Sequence, residues 1–113
     1  MALLAVVVGF ACGRTGGNIV PLTVTIAATG RVTATGAAPA HTRTVTKAQL
    51  AALDRVVLAA RFSKLPAVTG CPGTPPDVAA QWIRVGHRTV RVHGTCLAGF
   101  NRVWNALARA VRR

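Results

Sequence analysis

Acidic side chains are almost missing from this chain. Asp54 and Asp77 are its only carboxylates, against fourteen Lys and Arg, and the formal net charge is +12. Paired-carboxylate chemistry needs two acids at one site. One aspartate in a helical pattern and one in a loop do not supply it. Histidine is also scarce. His41, His87 and His93 fall at none of the short spacings, and beside no Cys-x-x-Cys knuckle, that would hold zinc. There is no phosphate-cradling Gly-Lys loop and no Gly-x-Ser-x-Gly elbow. No apolar run approaches the roughly 18 residues of a membrane-spanning helix. These absences leave no catalytic, cofactor-binding or metal-ligating residue to assign, and the chain reads as a non-enzyme that needs no cofactor.

What is present is a 51% apolar chain of 113 residues, enough for one domain with its own core. At most two of its fourteen cations can pair with an internal carboxylate, so the rest face water, anions or a partner. Such a chain is attracted to any polyanion. A dedicated nucleic-acid binder usually clusters its charge. Here the arginines run from Arg14 to Arg113 and only Arg112 and Arg113 are adjacent. Arg in excess of Lys, with abundant Ala, Val, Gly and Thr, is also what a GC-rich coding sequence produces without selection for binding.

Ala2 to Phe10 carries no charged or strongly polar side chain. Its length fits the apolar core of an export signal, with residues 1–11 as the signal-like segment. Gly9 and Ala11 supply small residues before a cut at Cys12, and a cut before cysteine makes Cys12 the candidate for lipidation. Two features depart from that pattern. Gly9 stands where a lipoprotein signal usually has Leu, Val or Ile, and no basic residue precedes the run, which fits a start upstream of Met1. The competing reading is a buried strand, since Val6-Val7-Val8 is β-prone. With the export reading, residues 12–18 become a Gly-rich tether and 19–113 the folded domain.

Export also decides how the other cysteines are read. Cys71 and Cys96 would be oxidised to each other, which leaves Cys12 for the lipid and no thiol over. The alternative is a reactive Cys96 with His93 three residues upstream, but a Gly-Thr bend between them does not aim one at the other.

Leu22, Val24 and Ile26 alternate with Thr23 and Thr25, and the alternation resumes from Arg31 to Thr35, which predicts two strands. Thr42 to Val45 allows a short third. Thr46-x-x-Gln49 is a capping-box pattern, and Leu50, Leu53, Val57 and Ala60 form the stripe of a helix ending near Phe62. Pro66 to Pro76 reads as a loop. Ala79–Val85 and Arg88–His93 make a hairpin over Gly86-His87 that pairs Ile83 with Val90 and Trp82 with Arg91. Phe100, Val103, Trp104, Leu107 and Val111 mark a last amphipathic helix from about Ala98. The order β-β-(β)-α-β-β-α predicts an α+β, two-layer sandwich: an antiparallel sheet of 4–5 strands with both helices on one face.

Trp82, Arg84, Arg91 and His93 then share the outer sheet face, with Arg31 or Arg43 joining if the strand order allows. That set is the candidate binding face. Its tryptophan can stack on bases or sugars, and its arginines can clamp anions. The plainer role for Trp82 is a cross-strand contact with Arg91.

The Thr-rich hairpin, the capped Leu-rich helix ending in Phe-Ser-Lys-Leu-Pro, the Cys-Pro loop, the Trp-containing hairpin and Gly-Thr-Cys before an amphipathic helix resemble small exported domains of unknown function from actinobacteria. The resemblance spans Val20 to Val111 and carries no activity or site residue. The reading that follows is an exported cell-envelope or secreted domain with a binding or structural role. Its partners would be an anionic envelope polymer, a lipid headgroup or an acidic protein, with a membrane reached through a lipid on Cys12. Two alternatives stand beside it: a polyanion or nucleic-acid module using the Trp82/Arg84/Arg91 face, and a secreted inhibitor presenting the loop around Cys71.

Overall fold

Threonine and β-branched residues in alternation build the first hairpin, and the pattern is realised as strands β2 (Leu22–Ile26) and β3 (Val32–Gly36). The computed structural model describes residues 8–36 and 43–112. Most of the signal-like segment, and His41, lie outside these residues. Helix α1 (Lys47–Ala59) begins with the predicted capping box: the Thr46 hydroxyl accepts from the Gln49 N–H at 3.1 Å, and the Thr46 N–H donates to Gln49 Oε1 at 2.7 Å. It ends earlier than the stripe predicts. Arg61 adopts a left-handed φ of 52°, and Phe62–Lys64 is a separate 3-10 turn that buries Phe62. The second hairpin, β5 (Ala80–Val85) and β6 (Arg88–His93), has the register the sequence gives it, and α2 (Ala98–Arg112) buries Phe100, Val103, Leu107 and Val111.

The class is α+β, but the sheet is larger and less regular than expected. It has six strands in the order β3-β2-β1-β5-β6-β4. One of them, β4, falls in a predicted loop, and another, β1, begins in the segment where a buried strand was the competing reading to an export signal and runs on into the expected tether. Strand β1 (Phe10–Thr15) occupies the middle of the sheet, antiparallel to both β2 and β5. Residues 12–15 are therefore not a tether. They are held by ladders on both sides, and the folded unit starts at or before Phe10. Strand β4 (Val68–Gly70) is a short edge within the predicted loop and runs parallel to β6, so the sheet is mixed. The Ala67 carbonyl accepts from the Arg91 N–H, and the Cys71 N–H donates to the His93 carbonyl, both at 2.8 Å. The third strand anticipated near Thr44 is only a bridge to Arg31, with Thr42 outside the described residues.

Both helices cover the same face. Phe10, Cys12, Val24, Ile26, Ile83, Val90 and Val92 project from the sheet into one core with the buried stripes of α1 and α2. The opposite face carries Thr23, Thr25, Thr33, Thr35, Arg84 and Arg91, with no helix over it among the described residues.

Candidate functional site

Pleating puts alternate residues of β5 and β6 on the helix-free face, and Trp82, Arg84, Arg91 and His93 all lie there as predicted. They do not act as one set. Trp82 is half-buried and its indole lies across the backbone of Gly13 on β1. A Cβ placed at Gly13 would collide with the Leu22 carbonyl and sit 2.7 Å from Trp82 Nε1. The ring therefore shields the bare backbone of a central strand, a glycine–aromatic pairing known to stabilise sheets. Arg91 is its cross-strand neighbour, as expected, but makes no cation–π contact with it. Among the described residues the cation–π contact is at the other aromatic side chain of this type: the Arg14 guanidinium stands 5.4 Å from the Trp104 ring centroid, at the edge of the helix layer. Trp104 is accordingly half-buried, stacked on Phe100 at 6.3 Å, and is not fully enclosed in the core. Arg31 and Arg43 sit at the β3 edge, three strand spacings or about 14 Å from β5, and do not join the set.

Arg91 and His93 instead line a cavity of about 320 Å³. Its floor is the exposed face of β5, β6 and β4. One wall is the turn after β1. Gly17 takes φ +60° there, and a Cβ on it would meet the Asp77 carbonyl oxygen at 2.5 Å and the Ala79 nitrogen at 2.8 Å, so only glycine lets the turn close on residues 77–79. The Asn18 N–H donates to the Asp77 carbonyl at 3.3 Å. The other wall is the segment after Cys71. Cys71 and Cys96 form the predicted disulfide, with Cα atoms 5.7 Å apart. Spanning 25 positions, it stabilises the fold by about 3 kcal/mol in the chain-entropy account. The Thr74 hydroxyl donates to the Cys71 carbonyl at 2.8 Å. His93 Nε2 lies 2.7 Å from the Val78 carbonyl. A carbonyl only accepts, so Nε2 carries the hydrogen, and the imidazole fastens the loop to the sheet. The same bond removes His93 as a partner for Cys96, whose sulfur is already in the bridge.

Cys12 is buried in this fold. It is 8% exposed, on the helix-facing side of β1 between Val24 and Ile83. A cut before it would remove Phe10 and Ala11 from the central strand. The lipidation expectation for Cys12 does not fit this fold. Burial pushes the thiol up from its ordinary 9.0 to about 11. The unfolded thiol ionises near pH 9 while the folded one stays neutral. Stability present below pH 9 is therefore lost as the pH rises towards 11, by about 2–3 kcal/mol. No tyrosine titrates in that window. Urea midpoints across it should fall less steeply in Cys12→Ala than in the unmodified chain. Equal slopes would show that the thiol is not protected from ionisation.

Among the described residues no three His, Cys, Asp or Glu side chains gather to hold a metal, and no helix is long and apolar enough to cross a membrane. Comparison with protein-family models, with curated proteins and with solved structures finds no match to this chain.

Proposed function

We propose that this chain is an exported, non-enzymatic binding domain whose helix-free sheet face takes an anionic ligand of the cell envelope or its surroundings. The observation that carries this reading is the uncovered face itself. Among the described residues, one side of a six-stranded sheet is left open and lined with threonines, Arg84 and Arg91, in a chain where two carboxylates face fourteen cations. Guanidinium groups in such a position recognise phosphate, sulfate or carboxylate groups. Export is supported by the Cys71–Cys96 bridge, because disulfides form and persist in oxidising compartments. With Cys12 in the core, the secreted form is favoured over one anchored through that residue. Trp82 is assigned to the sheet and not to the ligand, because Gly13 occupies its ring face.

Heparin serves as the polyanion probe. Replacing Arg84 and Arg91 together by Gln should weaken binding about tenfold, as for loss of charged hydrogen bonds. Replacing Arg55 and Arg102, exposed on the helix layer, removes the same charge and should change affinity by no more than about twofold. Equal losses in the two double variants would mean that bulk charge alone binds.

A further inference from the structure

We infer that the cavity beside β4 is a binding site for a small amphiphilic oxyanion: a carboxylate or phosphate monoester head on a short aliphatic body. This rests on the reading of the helix-free face as the ligand-binding one and deepens it. Four chain segments far apart in sequence meet around this space: the turn at Gly16-Gly17, strand β4, the loop at Pro76 to Val78, and the Arg91 to His93 end of β6. Each is braced independently, by the Gly17 contact, the parallel ladder, the disulfide and the His93–Val78 hydrogen bond. A cavity walled this way keeps its shape before a ligand arrives, which lowers the ordering cost of binding.

The lining is of two kinds. Val68 is 73% exposed and Val78 43%, and these are two of five large apolar side chains left exposed among the described residues. Both line this cavity, with Pro76 and Ala80 beside them. Exposed apolar side chains that converge on one concavity mark a contact surface, whereas isolated ones need no explanation. Arg91 is the only Lys or Arg of the lining, and Asp77 and Asp54 are not part of it. The combination of one guanidinium, the threonine at position 15 of β1, and an apolar flank is that of a pocket which fixes an anionic head and buries a carbon body. A bare inorganic anion would leave the valines uncovered. A neutral alcohol would leave Arg91 unpaired. At about 320 Å³ the space sits at the small end of ligand pockets.

Gly70 offers a clean test. It lines the cavity, its φ is not left-handed, and a Cβ added to it meets no atom within 4 Å. Gly70→Val therefore fills the space without a clash. The probes are hexanoate, hexyl phosphate, hexanol, acetate and inorganic phosphate, titrated by NMR into the oxidised full chain. Hexanoate and hexyl phosphate should both bind and shift the amides of residues 68–70 and 91–93, and which binds more tightly identifies the head group. Gly70→Val and Arg91→Gln should each weaken them about tenfold. Arg102→Gln, exposed on the helix layer and away from the cavity, should change them by no more than about twofold. Should Gly70→Val not fold, Val68→Ser tests the apolar wall and should weaken binding about threefold. Hexanol binding as tightly as hexanoate, or acetate and phosphate binding as tightly as their hexyl counterparts, would overturn the proposal. So would equal losses in Arg102→Gln and Arg91→Gln. Heparin separates this outcome from the broader reading. If the hexyl probes fail but heparin binding still needs Arg84 and Arg91, the cavity is not the site and the face remains one.

Discussion

A chain that begins at Cys12 is expected to be unfolded at physiological temperature. Such a chain loses Phe10, which is 2% exposed in the core, and Ala11. It also loses their places in both ladders, opposite Ile26 and Val85 and opposite Thr25 and Arg84. Removing a buried phenylalanine side chain alone costs about 3–5 kcal/mol. Total stability for a domain of this size is only about 5–15 kcal/mol. The loss of central-strand pairing comes on top of that. Thermal melts followed by circular dichroism should show no cooperative transition for the Cys12 start. A chain beginning at Val8 isolates the share due to residues 8–11, and Phe10→Ala separates the side chain from the strand. A Cys12 start that melts with the full chain would mean that the first half of β1 contributes nothing, and it would restore the cut before Cys12 as a route to the folded protein.

Gly13→Ala should be nearly as damaging, although it adds one methyl group at a site with ordinary backbone angles. The new Cβ collides with the Leu22 carbonyl of the neighbouring strand and reaches 2.7 Å from the indole of Trp82. The indole can swing away, but the carbonyl belongs to the β1–β2 ladder and can yield only by opening it. A cost of about 3 kcal/mol follows, in the range where overpacking of a well-filled site falls, with a melting temperature lower by roughly 15 °C. Trp82→Ala in the same background should recover only the part due to the ring, and the double-mutant cycle measures that part. A Gly13→Ala chain within about 0.5 kcal/mol of the unmodified one, the usual range for an unconstrained surface site, would show that Trp82 does not rest on Gly13.

These two positions also explain why β1 was hard to read. Phe-Ala-Cys-Gly-Arg-Thr has no clean alternation, and a glycine followed by arginine and the Gly16-Gly17 pair has the composition of a linker. Gly13 is small because Trp82, 69 residues later, needs its surface. Arg14 faces the helix side because Trp104 stands there to receive it. Neither partner is near in sequence, so no window over residues 10–15 contains the reason for their pattern. Strand β4 fails the same way. Three residues between Pro66 and Cys71 carry no periodicity, and β6 alone makes them a strand.

The candidate face was legible in part. Alternation and a two-residue turn put Trp82, Arg84, Arg91 and His93 on one side, and that placement holds. Their division of labour was not legible. Trp82 belongs to Gly13 and His93 to the Val78 carbonyl, and Arg91 alone of the four combines exposure with a place in the cavity free of such a bond. The cavity's walls come from segments whose meeting depends on strand order.

By itself the sequence determined the capping box at Thr46, the hairpin register from Ile83 to Val90 and the apolar stripe of α2. Each depends on side chains a few residues apart, whereas the expected pairing of Cys71 with Cys96 depended on the export reading that set Cys12 aside. Only the tertiary structure decided that residues 10–15 lie at the centre of the sheet, that Cys12 is buried on the helix-facing side while Cys71 and Cys96 are joined, and that the chain around Gly70 closes a pocket. Those outcomes are set by which backbone edges meet across the sheet, and hydrogen-bond ladders between distant segments leave no periodic trace in either partner alone.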